Sequence, residues 1–411
     1  MNYLDLFSGA GGLSEGFTNA GFNGIAHIEI DENACKTLKT RNVYHYLNEI
    51  GNIDLYNKYL LKQINAEELY SSVPKYITEN ILQYEINESN LESIYDDISE
   101  CMSINNASEI DLIIGGPPCQ AYSIIGRARD SNGMKNDIRN YLYILYIEFL
   151  KKYKPKVFIF ENVVGLFSAH EGKLYQDLAI RIQESGYTFE AKILDSFDFG
   201  VMQKRKRVII IGWRNDYSFN YPIIEKVEFK ENIFDLFSDL PSLKPGEQKN
   251  GAVYIKNANS YLINSGIRNL EDTILTWHNS RSHISRDLEI YQTAQEYWYK
   301  NKIRLKYDML PPHLQSQNNL KSFLDRYKVV AGDLQYSHTM VAHISRDGHY
   351  YIHPDINQIR SISVRESARI QSFPDNYYFE GSRTSAFKQI GNAVPPLMAK
   401  ILAKKIYENM K

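Results

Sequence analysis

Along the first half of the chain, short apolar runs alternate with longer stretches whose apolar side chains recur every three or four positions. The runs at 3–7, 24–29, 111–115, 156–161 and 208–212 have strand length, and several end in glycine or an acid. Leu142, Leu145, Tyr146, Phe149 and Leu150 follow i, i+3, i+4, i+7, i+8. That spacing predicts one helix with a single apolar stripe, stopping before Lys154-Pro155. Strands apolar on both faces and linked by helices imply an open, mainly parallel α/β sheet. Such sheets bind ligands beyond the carboxyl ends of their strands, so the chemistry is sought in the residues just past each strand.

The rhythm breaks twice. From 43 to 108 the chain is rich in Asn, Glu and Tyr without a firm period, and reads as a solvated helical insertion. From about 214 to 355 Gly, Pro, Asn and His become frequent, as in a second domain of irregular structure. A helical pattern returns after Arg360, and Pro395-Pro396 opens a final helix over 397–407. The 411 residues exceed one ordinary core of about 100–200 residues, so two domains are expected. One is built from 1–213 and 356–411, and the other, 214–355, is inserted between them.

Composition narrows the class. A chain 43% hydrophobic and 23% charged is not a mostly disordered one. Cys35, Cys101 and Cys119 are odd in number and widely spaced, which excludes a disulfide framework and zinc-type pairs. A reducing cytoplasm is therefore expected. No apolar run approaches the ~18 residues of a membrane span, so no membrane partner is expected. Asp5 interrupts the N-terminus where a signal peptide needs an apolar stretch.

The net charge of −2 speaks against a nucleic-acid partner only until it is divided by position. Between Val43 and Asp111 thirteen acids face three lysines, a net of −10, which leaves +8 on the remainder. A polyanion partner stays open, with the acidic stretch turned away from it.

The strand ends carry the candidate chemistry. Asp5-Leu6-Phe7-Ser8-Gly9-Ala10-Gly11-Gly12 follows the first strand, and such glycines let a ligand approach the backbone and the following helix. Glu29 ends the second strand twenty residues past Gly9, where an acid can grip ribose hydroxyls. Ser14 departs from the dinucleotide glycine pattern, so the signal indicates a nucleoside cofactor without saying which. Gly115-Gly116-Pro117-Pro118-Cys119-Gln120 follows the third run; paired prolines stiffen the loop and set Cys119 where a rigidly held thiol suits a nucleophile. Cys35 and Cys101 lack that setting and read as packing residues. Glu161-Asn162-Val163 ends the fourth run, a place where a carboxyl is partly desolvated and suited to sharing a proton; a helix cap or an ion pair is the alternative. In Gln203-Lys204-Arg205-Lys206-Arg207, strand alternation puts Arg205 and Arg207 on one face, suited to phosphate or base contacts, unless the run is merely a solvated basic strand.

Taken in order, these pieces resemble the DNA (cytosine-5-)-methyltransferase family of bacterial restriction-modification type. The resemblance rests on DLFSGAGG at 5–12, GGPPCQAYS at 115–123, ENV at 161–163, QKRKR at 203–207, RESARIQSFP at 365–374 and QIGNAVPP at 389–396. It implies an α/β fold, a Rossmann-like S-adenosylmethionine-dependent methyltransferase sheet with a second, smaller irregular target-recognition domain. It also implies methyl transfer from S-adenosyl-L-methionine to carbon 5 of a flipped-out cytosine in double-stranded DNA. By the same resemblance Cys119 adds to the base, Glu161 holds ring nitrogen 3 and the exocyclic amine, Arg207 contacts the carbonyl, and Arg205 orients the site. The cofactor would meet Phe7, Gly9, Ala10, Gly12, Glu29, Ile30, Asp97, Ile98, Pro118, Leu142 and Asn392. Ile30 stands where the family often has an aromatic residue, and Met202 where it commonly has proline.

The resemblance assigns target recognition to 214–355. There His278, Arg281 and Arg286 are residue types that read base edges or phosphates, joined on the catalytic side by Gln120 and Ser123. A monomer is expected, with a cognate restriction endonuclease acting on the same site without direct contact. An NAD- or FAD-dependent oxidoreductase would leave GPPCQ, ENV and QKRKR without roles. A transfer RNA methyltransferase of the same lineage would share the chemistry, but its substrate domain is usually small. A catalytically silent DNA-binding module would not need intact Cys119, Glu161, Arg205 and Arg207.

Overall fold

A computed structural model of the chain describes residues 1–118, 141–251, 254–316 and 324–411. Seven strands form one sheet: β1 (Asn2–Leu6), β2 (Asn23–Glu29), β3 (Ile81–Gln83), β4 (Leu112–Gly115), β5 (Val157–Val163), β6 (Tyr187–Asp195) and β7 (Lys206–Arg214). Their order across the sheet is β3-β2-β1-β4-β5-β7-β6. All neighbouring pairs from β3 to β5 are parallel, and β7 runs antiparallel to both β5 and β6. The chain order reverses between β1 and β4, so their carboxyl ends open the crevice where an open α/β sheet takes a ligand.

The central strands form because both of their faces are covered. Leu4, Leu6, Ile113, Phe158 and Ile210 pack into one apolar layer, while Tyr3, Leu112, Ile114, Ile159 and Ile211 pack into another. The helices relevant to the site are α1 (Gly12–Asn19), α2 (Glu32–Glu49), α3 (Ile53–Leu60), α4 (Leu91–Ile104), α5 (Leu142–Tyr153), α6 (Ser285–Asn301), α7 (Val364–Ile370), α8 (Arg383–Asn392) and α9 (Pro396–Met410). Asp31 caps α2 through the backbone N–H groups of Asn33 and Ala34. Ser363 and Glu366 close a reciprocal capping box on α7. The stripe that predicts α5 is buried along its length: Leu142, Leu145, Tyr146, Phe149 and Leu150 all join the first layer. Helix α9 returns from the end of the chain to pack against α1.

All five expected strands form, and two more were not anticipated. Strand β3 lies inside the acidic stretch, so that stretch is not simply a helical insertion: Ile81–Gln83 completes the sheet edge against His27–Glu29. Three residues are too few for a strand period to register in sequence. Strand β6 forms the other edge, where only Tyr187 is buried and the positions after it are exposed or half-buried. Cys35 and Cys101 are buried as expected, and burial pushes their thiols up to about 12 and about 11.

Within 214–355 the packing follows three cores. Phe219 and Tyr221 join the second sheet layer. Residues from Ile233 to Leu275 pack with Ile362–Ala393 side chains in a separate cluster, and α6 with Leu305, Tyr327 and Ile352 forms another. Among the described residues, no helix is long and apolar enough to cross a membrane.

Candidate active site

Strands β4, β5 and β7 meet at their functional ends. In the antiparallel β5–β7 ladder Val163 faces Arg207 and Glu161 faces Ile209, which sets Glu161 and Arg207 diagonally on one face. Arg207 Nε lies 2.9 Å from Glu161 Oε1, with the two side chains 14% and 15% exposed. The ion-pair alternative for Glu161 is thus realised, and its partner is the arginine expected beside it. A Cβ on Gly116 would lie 2.7 Å from Glu161 Oε2 and 3.0 Å from the Glu161 carbonyl oxygen, so the bare glycine lets the β4 loop pass close to β5 here. Asn162, almost fully buried, donates to the Pro117 carbonyl at 3.4 Å. The loop that leads from β4 toward Cys119 is therefore fastened against the carboxylate at the end of β5. Cys119, Gln120 and Ser123 lie outside the described residues.

The glycine turn after β1 is held by the acid that ends β2. Glu29 Oε2 accepts from the Gly9 N–H at 2.7 Å and Oε1 from the Asp31 N–H at 2.8 Å. Burial raises the pKa of this carboxyl despite those two bonds. Phe7 adopts φ 58°, a left-handed conformation unusual for a bulky residue, and Gly9 has φ 56° with open space where a side chain would be. Ile30, 56% exposed, follows Glu29 at the same edge. Phe7, Gly9, Glu29 and Ile30 therefore gather at the carboxyl ends of β1 and β2. Pro118 is exposed beyond β4, the buried Leu142 starts α5, and the exposed Asn392 ends α8.

Several expected site residues carry scaffold contacts. Ala10 is buried and its carbonyl accepts the Tyr377 hydroxyl at 2.5 Å. Gly12 is glycine because a Cβ would strike the Val394 carbonyl, so it serves the seating of α1 rather than an open groove. Asp97 and Ile98 do not stand at a strand end: both lie within α4, where Asp97 accepts from Tyr84 at 2.7 Å and Ile98 is buried in the core. The residues that do follow β3 are Tyr84, Glu85 and Ile86; counting back from Cys119 missed them because β3 itself left no sequence signal.

Arg205 and Arg207 also part company. Arg205 precedes β7 and is buried, donating to the Met340 carbonyl at 2.5 Å and the Gly391 carbonyl at 3.1 Å. Its guanidinium ties the entry of β7 to the end of α8. Gln203 belongs to the same seam, donating to Gln371 Oε1 at 2.6 Å and accepting from the Met340 N–H at 2.6 Å. Its role was not read from sequence, although its place at the head of the QKRKR run was the available signal.

The recognition candidates divide likewise. His278 cannot read DNA in this arrangement: it is 0% exposed, with Nδ1 3.1 Å from Ser363 Oγ and Nε2 2.7 Å from the Pro241 carbonyl. Burial lowers its pKa to about 4. Arg281 spends its terminal nitrogens on the carbonyls of Ile344, Ser345 and Arg346, which makes it a loop clasp rather than a base reader. Arg286 is exposed in the first turn of α6 and remains available.

The sheet order, the single reversed strand and the acid-braced glycine turn define a Rossmann-like methyltransferase. Comparison with known proteins gives the particular kind. The family model described as C-5 cytosine-specific DNA methylase matches residues 1–74 and 75–408, and the chain belongs to that family. It is 41% identical over 445 aligned positions to the type II methyltransferase M.Bpa9945I of Bacillus paralicheniformis, covering 99% of this chain and 98% of that one. It is 31% identical to M.DdeI of Desulfomicrobium norvegicum, covering 100% and 90%. Among solved structures, a DNA modification methyltransferase encoded within an E. coli prophage superposes with TM-score 0.67 at 21% identity, covering 100% and 99%. The Entamoeba histolytica methyltransferase EhMeth superposes with TM-score 0.56 at 15% identity, over the same shares. These two likenesses concern the fold. The chain is a DNA (cytosine-5-)-methyltransferase.

Proposed function

We propose that this enzyme methylates cytosine within one specific double-stranded sequence, as the modification half of a restriction-modification system, through a Cys119 adduct to a flipped-out base. The observation that carries the reading is the Glu161–Arg207 pair fastened beside the loop that leads to Cys119.

Cytosine carbon 5 is a poor nucleophile. Addition of the Cys119 thiolate to carbon 6 makes the ring enamine-like. Glu161 holds ring nitrogen 3 and the exocyclic amine, and a proton there offsets the charge that develops on addition. Arg207 serves the base carbonyl and fixes the Glu161 carboxylate, and Arg205 acts only through the scaffold. Once carbon 5 carries the transferred methyl group, loss of its proton to a water re-forms the 5,6 double bond and breaks the carbon–sulfur bond, releasing the thiol. Attack on the face of the ring requires the base to leave the stack.

The open space at Gly9, the braced Glu29 carboxylate and the exposed apolar surface of Ile30 fit a nucleoside sulfonium. Phe7, Gly9, Glu29, Ile30, Pro118, Leu142 and Asn392 would hold S-adenosylmethionine, which supplies an electrophilic methyl group. The catalytic part is assigned to 1–213 with 356–411, and target recognition to 214–355, where Arg286 is the retained candidate.

Duplex DNA containing 5-fluorocytosine tests the reading, because fluorine cannot leave as a proton does. With cofactor present, the wild type should form a denaturant-resistant adduct and Cys119→Ala should form none. An adduct that survives in Cys119→Ala would overturn the assignment of the nucleophile. Labelled methyl groups appearing only in transfer RNA would overturn the DNA substrate.

A further inference from the structure

A second basic feature lies beside the catalytic strand and is not used by the reaction. The exposed Lys204 stands three residues before Arg207, and its Nζ lies 3.9 Å from the centre of the Tyr336 ring. Backbone geometry fixes that contact, since the Lys204 N–H donates to the Ser337 carbonyl at 3.0 Å and Gln203 bridges to Ser337. Arg304 approaches the neighbouring residue, with Nη2 3.5 Å from His338 Nδ1 and Nε donating to the Val329 carbonyl at 3.4 Å. Lys328 follows, its Nζ 5.1 Å from the centre of the Tyr350 ring.

Charge makes this cluster unusual. Lys204 and Arg304 form no ion pair among the described residues, and the carboxylate facing Lys328 is Asp325, 3.7 Å away and largely exposed. His338 between them is neutral: burial and then Arg304 lower its pKa to about 3. Its Nε2 donates to the Tyr350 carbonyl at 2.6 Å, which leaves Nδ1 as an acceptor toward Arg304. Burial also lowers the pKa values of Arg304 and Lys328. Arg304, partly buried and without an ion-pair partner among the described residues, carries a desolvation cost that an incoming anion would offset. The faces of Tyr336 and Tyr350 hold Lys204 and Lys328 in place meanwhile. Three residues of extended chain put Lys204 within roughly 10 Å of Arg207, a reach that covers backbone groups next to a target base.

We propose that Lys204, Arg304 and Lys328, set against Tyr336, His338 and Tyr350, form a track for the phosphodiester groups of the strand that flanks the target cytosine. The inference rests on DNA being the substrate and adds where its backbone is gripped. Phosphate contacts of this kind set register and affinity without reading sequence.

The test measures binding of a fluorescent mixed-sequence duplex to the full chain across a potassium chloride titration. Each lost phosphate contact lowers the slope of log K against log salt by about 0.9. Lys204→Gln should lose about one such step and Lys204→Gln with Arg304→Gln about two, whereas Arg304→Lys should keep the wild-type slope. The exposed Lys58→Gln should also leave it unchanged. Turnover at saturating plasmid DNA should stay within about twofold of wild type, and cofactor affinity should not move. An unchanged slope in Lys204→Gln, or weakening confined to methylatable sequences, overturns the track. A wild-type slope of zero overturns DNA binding itself.

Discussion

Glu161 draws its character from three neighbours: the Arg207 guanidinium, the bare Gly116 backbone and the buried Asn162 that anchors Pro117. The Arg207 ion pair restrains this side chain, and in the proposed mechanism that restraint orients it toward the base. Glu161→Gln keeps the shape but removes the shared proton. Turnover should fall by ~10²–10⁴, the usual worth of a positioned acid, with cofactor affinity unchanged. Single-turnover transfer and calorimetric titration of the cofactor separate these two effects; parallel losses in both would place Glu161 outside the chemistry. His278 shows the opposite outcome at the same scale. Its polar neighbours in sequence suggest recognition, yet both ring nitrogens are engaged inside the protein.

Elements are positioned here by close backbone approach. Helix α1 lies against α9 because Gly12 and Gly16 present no side chain to Val394 and Ala399. Since α1 opens directly after the glycine turn, that contact also sets the height of the turn above the sheet. Gly16→Ala places a methyl group against the Ala399–Lys400 backbone. Overpacking of this kind costs about 1–3 kcal/mol, so the urea midpoint should drop and cofactor binding should weaken with it. An unchanged midpoint would show that α9 can yield. Strand β3 contributes only Ile81, Leu82 and Gln83, yet it completes the sheet edge beside β2 and sets Tyr84, Glu85 and Ile86 just past the strand end.

At the scale of the whole molecule, buried arginines join the irregular region to the end of the chain. Arg369 meets Asp239 and Asp375, each at 2.5 Å, and Arg365 donates to the Thr276 carbonyl at 3.1 Å and its hydroxyl at 2.7 Å, with neither guanidinium exposed. The RESARIQSFP motif is therefore a joint, which the linear pattern alone did not reveal. The same region stores a pH dependence. His278 and His283 are lowered to about 4 and His338 to about 3, chiefly by burial. Each imidazole has a folded pKa below its unfolded one, so the unfolded chain binds more protons between roughly pH 4 and 6.5. Stability from these groups is complete above that window and is lost as pH falls through it. Glu366 and Asp375, both held low by arginine against the opposing effect of burial, add to the loss at still lower pH. Urea unfolding between pH ~7.5 and ~5 should show stability falling with acid, and His278→Gln should remove up to ~1.4 kcal/mol per unit from that slope. An unaltered slope would mean that His278 titrates normally.

Periodicity and strand-end residues determined much of this protein in advance. They placed five strands, the glycine turn, Glu29, Glu161 and Arg207, because short-range alternation and turn chemistry are local properties of a chain. The −10 stretch and +8 remainder were legible for the same reason. Only the tertiary structure decided that Arg205, His278 and Arg281 face inward, that Asp97 and Ile98 belong to a helix, and that Lys204 lies over Tyr336 while Arg304 reaches the nearby His338. Those outcomes depend on which distant carbonyl, ring or carboxylate arrives beside each side chain. A polar residue's role is set by whether its hydrogen bonds are satisfied within the fold or left for a ligand.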